Sequence, residues 1–240
     1  TSEGLVGFEL AADGKSGVAV EVKCETDFVA RGDKFQGFVK DMGAQVAKGE
    51  YADSEALLAA PFVADASVTV KEALDGVIAT TGENMGLGKF AKMELAAGKS
   101  GLIGGYLHSN GKLAVLVEMQ TGSDAAAASE AFHEVAKNVA MQIAAASPLA
   151  VSAEGLNPEV VEHEREVYRQ KAREEGKPEQ IIEKIAEGAV KKFCKDVCLL
   201  DQLYIRDDKM TISDLIKGAA KTIGEPITVV RFVRIQLGAE

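Results

Sequence analysis

Cysteine is scarce in this sequence. Cys24, Cys194 and Cys198 are an odd number without paired spacing, which argues against a disulfide framework. It suits a reducing compartment, with the thiols as small buried apolar groups. A basic excess is missing too. A net charge of −10 and a pI near 5.0 speak against a protein that lives on DNA, RNA or anionic lipid, where a basic face supplies the affinity. A protein partner or a small molecule fits this balance better. No apolar run approaches the length needed to span a bilayer. The 240 residues, 47% hydrophobic and 27% charged, are those of an ordinary soluble globular protein of one large or two moderate units.

Catalytic signatures are also wanting. His108, His133 and His163 lie far apart and form no His-x-x-x-His pair, and Cys194 and Cys198 are separated by three residues where a metal knuckle has two. Gly-Lys-Ser occurs at 98–100, but Met93 stands where a phosphate loop needs glycine. "GENMGLGKF" ends in Phe90 where that loop needs Ser or Thr. Neither Ser16 nor Ser100 sits in a nucleophile elbow. The acidic residues read as solvated surface. No metal, no cofactor and no enzyme activity are expected.

What the chain does contain is itself, twice. "EGLVGFELAADGKSGVAVEV" at 3–22 matches "SGLIGGYLHSNGKLAVLVEM" at 100–119 at an ungapped offset of 97, relating Gly4 to Gly101, Gly14 to Gly111 and Glu21 to Glu118. The offset persists to Asp27 and Asp124, and to Phe35 and Phe132. In each copy a strand reaches Asp-Gly or Asn-Gly, the dipeptides that suit a two-residue hairpin. A return strand and a helix follow, over 27–48 and 124–146, with Phe35, Val39, Met42 and Val46 at helical spacing in the first.

Between the copies, Ser54 can start a short helix, Thr69-Val-Lys-Glu72 reads as a capping box for a helix to Thr81, and 88–95 reads as a strand. The run 157–195 is highly charged and broken once, at Gly176-Lys177-Pro178. It reads as a helical hairpin whose thin seam comprises Val160, Val161, Val167 and Tyr168 on one arm. Ile181, Ile182, Ile185, Ala189 and Phe193 form the other. Such a hairpin is either a solvated ornament or an arm that touches a partner. The tail holds a helix from Thr211 or Ser213 and a strand over 227–237, with Ile227, Val229, Val233 and Ile235 on one face. The expected class is α+β, two duplicated β-β-α subdomains with a protruding antiparallel helical hairpin. The first subdomain spans 1–99, the second 100–156 and 196–240, and the hairpin 157–195.

One segment, "VEVKCETDFVARGDKF" at 20–35, asks for more than packing. Asp27 is a good N-cap, and Phe28, seven residues before Phe35, can share its buried face. The second copy divides the motif: Asp27 stays Asp124, whereas Phe28 becomes Ala125. The unit closes its core without that aromatic, which leaves Phe28 open to another task.

"VEVKCETDFVARGDKF" also resembles the signature of the elongation factor Ts family, the guanine-nucleotide exchange factors of elongation factor Tu. "GENMGLGKFAKME", "YLHSNGKLAVLVEM" and "NPEVVEHERE…GKPEQIIEKIAEGAVKKF" are similar to further family segments in the same order, over nearly the whole chain. The resemblance implies that the Asp-Phe turn intrudes on the partner's GTPase domain near its Mg²⁺ and phosphate elements, so that GDP escapes. The matching residues are Thr26, Asp27, Phe28 and Val29. It also implies that the second subdomain faces the partner's third domain, where His108 is either a contact or an ordinary surface histidine. Elongation factor Tu, GDP-bound and nucleotide-free, is thus the expected partner, with no membrane and no specific nucleic acid. A scaffold that binds elongation factor Tu or the ribosome without driving exchange is the alternative. Two departures stand out. The family's small N-terminal helical domain is not part of this sequence, and Met85 to Lys89 replace an often more basic run. The implied location is a bacterial cytoplasm or an organelle interior, plastid stroma or mitochondrial matrix.

Overall fold

Two Asx-Gly turns organise the molecule. In the computed structural model, which describes residues 1–240, Gly14 and Gly111 adopt left-handed φ angles of 72° and 71°, which glycine takes without steric cost. The Asp13 and Asn110 side chains accept from the backbone N–H groups of Lys15 and Lys112, the Asx closure that favours these residues in turns.

In the first copy β1 (Glu3–Leu10) pairs antiparallel with β2 (Ser16–Cys24), Glu3 opposite Cys24. A single turn, α1 (Asp27–Ala30), precedes α2 (Asp33–Lys48). One continuous helix was expected over 27–48. Instead Gly32 is extended, at φ −74° and ψ 148°, and α2 starts anew after it. Next come α3 (Ser54–Ala59), capped by the Asp53 carboxylate, then β3 (Pro61–Phe62), β4 (Asp65–Thr69), α4 (Val70–Thr81) and β5 (Gly86–Glu94). The expected capping box at 69–72 is half made. Thr69 accepts from the Glu72 N–H, but the Glu72 carboxylate meets the Thr69 hydroxyl, not its N–H. β5 closes a sheet of order β1-β2-β5.

The second copy repeats this plan with β6 (Ser100–Leu107), β7 (Leu113–Thr121), α5 (Asp124–Ala127) and α6 (Glu130–Ala146). α5 and α6 replace the single helix expected over 124–146, because Ser129 is extended as Gly32 is. The hairpin helices α7 (Pro158–Glu174) and α8 (Glu179–Val197) follow, then β8 (Leu203–Tyr204), β9 (Asp207–Thr211), α9 (Ile212–Ile223) and β10 (Ile227–Gln236). The sheet order is β10-β7-β6. From β3 onward the copies correspond at an offset of 142, relating Thr69 to Thr211 and Gly82 to Gly224. The hairpin accounts for the change of offset.

Equivalent atoms do equivalent work. Gln45 donates to the Pro61 carbonyl and accepts from the Val63 N–H; Gln142 does the same for Leu203 and Ile205. The two copies then lock reciprocally. Ile103 N–H donates to the Gly14 carbonyl and Val6 N–H to the Gly111 carbonyl. Buried Glu21 accepts from the Gly238 N–H, and buried Glu118 from the Ala96 N–H. Val6, Ala19, Met93, Ile103, Ala114, Leu116 and Ile235 fill the space between the sheets, while each sheet's other face packs on its own helices.

β10 corrects one expectation. A bulge at Val230 puts Val229 opposite Met119 but Arg231 opposite Glu118. The extra residue reverses the alternation. Ile227, Val229 and Phe232 face α6 and α9, whereas Val233 and Ile235 face the other copy.

The hairpin seam is rotated from the expected one. Ala172, Ile182, Ala186 and Val190 are buried, with Val161, Tyr168, Ile185, Ala189 and Phe193 half-buried. Val160, Val167 and Ile181 are exposed. Each precedes a seam residue by one position, about 100° around the helix. Across the seam Arg165, Arg169 and Arg173 pair with Glu187, Glu183 and Glu179. No helix of the chain is long and apolar enough to cross a membrane.

Candidate functional site

β2 ends at Cys24, fully buried, whose thiol donates to the Thr26 carbonyl. Burial, and then the nearby Glu83 carboxylate, push that thiol's pKa up, which disfavours the thiolate.

Thr26, not Asp27, caps α1. Its backbone is extended, at φ −126° and ψ 154°, and its hydroxyl accepts from the Val29 N–H. Asp27 is the first helical residue, and its carboxylate pairs with Arg31 at 2.7 Å. The cap chemistry recurs in the second copy, where Ser123 accepts from the Ala126 N–H.

Within this turn the side chains divide sharply. Ala30 is buried, and Val29 packs on the cluster of Val22, Phe35 and Met42. Phe28 points the other way and is 84% exposed. The expectation that Phe28 shares the buried face of Phe35 fails, because the break at Gly32 gives α1 and α2 separate axes. Ala125, its counterpart, is likewise exposed. The position faces solvent in both copies, and only the first carries a large apolar group there.

A second layer fixes the turn. Glu83, just past the end of α4, accepts from the N–H groups of Glu25 and Thr26 and, at 2.6 Å, from the Thr26 hydroxyl. The Glu25 carboxylate answers by accepting from the Asn84 N–H. Sequence reading passed over Glu83. It lies in the "GENMGLGKFAKME" segment that carries part of the family resemblance, but nothing in that segment links it to residues 25 and 26.

His108 sits in the turn between β6 and β7, exposed, with Nδ1 3.1 Å from the Tyr106 hydroxyl. Leu107 beside it is exposed as well. This turn and α1 flank Leu5. The Leu5 side chain belongs to the apolar cluster that contains Val29 and Ala30, and it also lies against Gly111, three residues after His108. The two predicted sites therefore adjoin one strand. His133 lies elsewhere, in a 680 Å³ groove between the first Asp-Gly turn and α6, and His163 lies on the hairpin.

The turn thus presents one large exposed aromatic on a backbone held by Thr26 and Glu83. Comparison with known proteins gives the chain its family. The sequence profile of the family described as Elongation factor TS matches residues 25–239. The chain belongs to the elongation factor Ts family. An Elongation factor Ts from Lawsonia intracellularis is 53% identical over 240 residues, covering 100% of this chain and 81% of the relative. One from Nitratidesulfovibrio vulgaris strain DP4 is 53% identical over 100% of this chain and 78% of its own. One from Clostridium novyi is 43% identical over 99% and 75%. Membership makes the chain a translation elongation factor of the Ts type, and the match begins at Glu25 and so takes in the whole Thr26–Val29 turn.

Proposed function

We propose that the chain is a guanine-nucleotide exchange factor that binds elongation factor Tu–GDP and promotes GDP release by disturbing the partner's Mg²⁺ and phosphate contacts. The observation that carries this reading is Phe28, a large apolar side chain 84% exposed on a turn held by Thr26 and Glu83. Burying one such ring on a partner is worth roughly 1.5–3 kcal/mol. That equals about one to two decades of differential binding. Phe28 supplies the wedge, and Thr26 caps the turn that bears it. Asp27 and Arg31 form the charged flank, and Val29 anchors the turn to the core. His108 and Leu107 supply a second contact from the neighbouring turn.

An exchange factor works by binding the nucleotide-free partner more tightly than the nucleotide-bound one, so it weakens GDP binding and GDP weakens the factor's binding by the same factor. An octahedral Mg²⁺ shell tolerates little displacement, so a rigid aromatic pressed beside it is an effective lever. No bond of this chain is made or broken in the process; it acts by binding, without a cofactor of its own. The relatives named above are bacterial, which supports a bacterial cytoplasm over an organelle interior.

The test is release of a fluorescent GDP analogue from elongation factor Tu on addition of this chain. Acceleration that saturates with chain concentration is expected. Binding without acceleration would favour the scaffold reading.

A further inference from the structure

The two copies differ at one junction in a way that core packing does not require. In the first copy four hydrogen bonds cross between the end of β2 and the loop after α4. Glu83 accepts from Glu25 N–H, Thr26 N–H and Thr26 Oγ1, and Asn84 N–H donates to the Glu25 carboxylate. In the second copy the corresponding residues are Gly122, Ser123, Glu225 and Pro226. Gly122 has no carboxylate and Pro226 no N–H, so the reciprocal bond is chemically impossible. Glu225 keeps the glutamate, yet its Oε2 is buried with no hydrogen-bond partner. The Ser123 cap still forms, and the turn still folds. The clamp is therefore dispensable for the turn itself. It is present in the copy that carries Phe28 and absent from the copy that carries Ala125.

We propose that Glu83 is the positioning residue for Phe28. Its carboxylate grips the backbone at Glu25 and Thr26 and the Thr26 hydroxyl, and so fixes the direction in which the ring is presented to the partner GTPase. This rests on the exchange reading above. A wedge acts only if it holds its direction under load, and a one-turn helix joined to α2 through the extended Gly32 has little stiffness of its own. Hydrogen bonds to a carboxylate are the strong ones, and three of them converge here on two consecutive residues.

The test uses the whole chain. Glu83→Ala is expected to lower the maximal rate of GDP release by roughly tenfold, part of the one to two decades assigned to the Phe28 ring, and to leave the half-saturating concentration nearly unchanged. Glu83→Gln, whose carbonyl oxygen keeps one acceptor, recovers part of the loss. Adding Glu83→Ala to Phe28→Ala costs nothing further, because Glu83 acts through Phe28. An unchanged maximal rate in Glu83→Ala, or additive losses in the double variant, overturns the proposal. Should Glu83→Ala not fold, Glu83→Gln carries the same comparison.

A readout free of the partner separates this proposal from the exchange reading. The chain has no tryptophan, so Phe28→Trp gives a single reporter. Adding Glu83→Ala to it is expected to lower the reporter's fluorescence anisotropy at a temperature well below the unfolding midpoint of both proteins; unchanged anisotropy refutes the clamp. If Phe28→Ala leaves GDP release unaltered, the wedge role of Phe28 falls, and the anisotropy alone then decides whether Glu83 holds the turn.

Discussion

Phe28 and Phe35 stand seven residues apart, one 84% exposed and the other fully buried. The extended backbone at Gly32 separates them onto two helices. Stability should follow that division. Phe35→Ala is expected to cost about 3–5 kcal/mol, the price of a large core cavity. Phe28→Ala should stay within about 0.5 kcal/mol of the unmutated chain. Urea unfolding of the two variants checks both values.

Gly4 and Gly101 report on the duplication. A Cβ at Gly4 would stand 2.1 Å from the Val22 carbonyl oxygen, and one at Gly101 would stand 2.1 Å from that of Met119. Both carbonyls belong to the paired strand, so neither can yield cheaply. Gly4→Ala and Gly101→Ala should each destabilise by at least about 2–3 kcal/mol, and by similar amounts. Gly37→Ala, in the exposed middle of α2 with nothing within 4 Å of the new methyl, should instead stabilise by about 0.4–1 kcal/mol. Thermal unfolding of the three variants tests the contrast.

Glu118 links β7 to β10 and to the other copy. Burial pushes its pKa up. Hydrogen bonds from Arg231, Gln120 and the Ala96 N–H, with the Arg231 charge, outweigh that and hold it below the ordinary carboxylate value. A carboxyl depressed in the folded state stabilises the fold above its unfolded value of about 4.3, and that contribution is lost as pH falls through the folded pKa. Arg231→Met leaves the carboxylate buried without its cation and should cost about 1–3 kcal/mol at pH 7. The gap between variant and unmutated chain should narrow as pH falls through the folded pKa of Glu118, below which the carboxyl is neutral in both. Denaturant midpoints measured across that range decide the matter.

Local chemistry was legible wherever a residue dictates its own backbone. The Asp-Gly and Asn-Gly turns, the paired strands and the break at Gly176 follow from φ preferences and apolar spacing. The breaks at Gly32 and Ser129 were missed because the apolar spacing runs on through them. The Val230 bulge shows only in the pairing with β7, where Arg231 stands opposite Glu118, and no single-strand pattern records that register. The cap was assigned to Asp27 because both Thr26 and Asp27 can cap, and only the fold chooses between them. Phe28 could be singled out by comparing the copies, since Ala125 fills its place. Glu83 could not, because its role appears only when residues 58 positions apart along the chain meet.

The most direct measurement of the central claim is the rate of GDP release from elongation factor Tu with the unmutated chain and with Phe28→Ala at saturating concentrations. The account expects acceleration by the unmutated chain and a loss of roughly ten- to hundredfold of it in the variant, with the unfolding midpoint unchanged. Equal acceleration by the two proteins would contradict it.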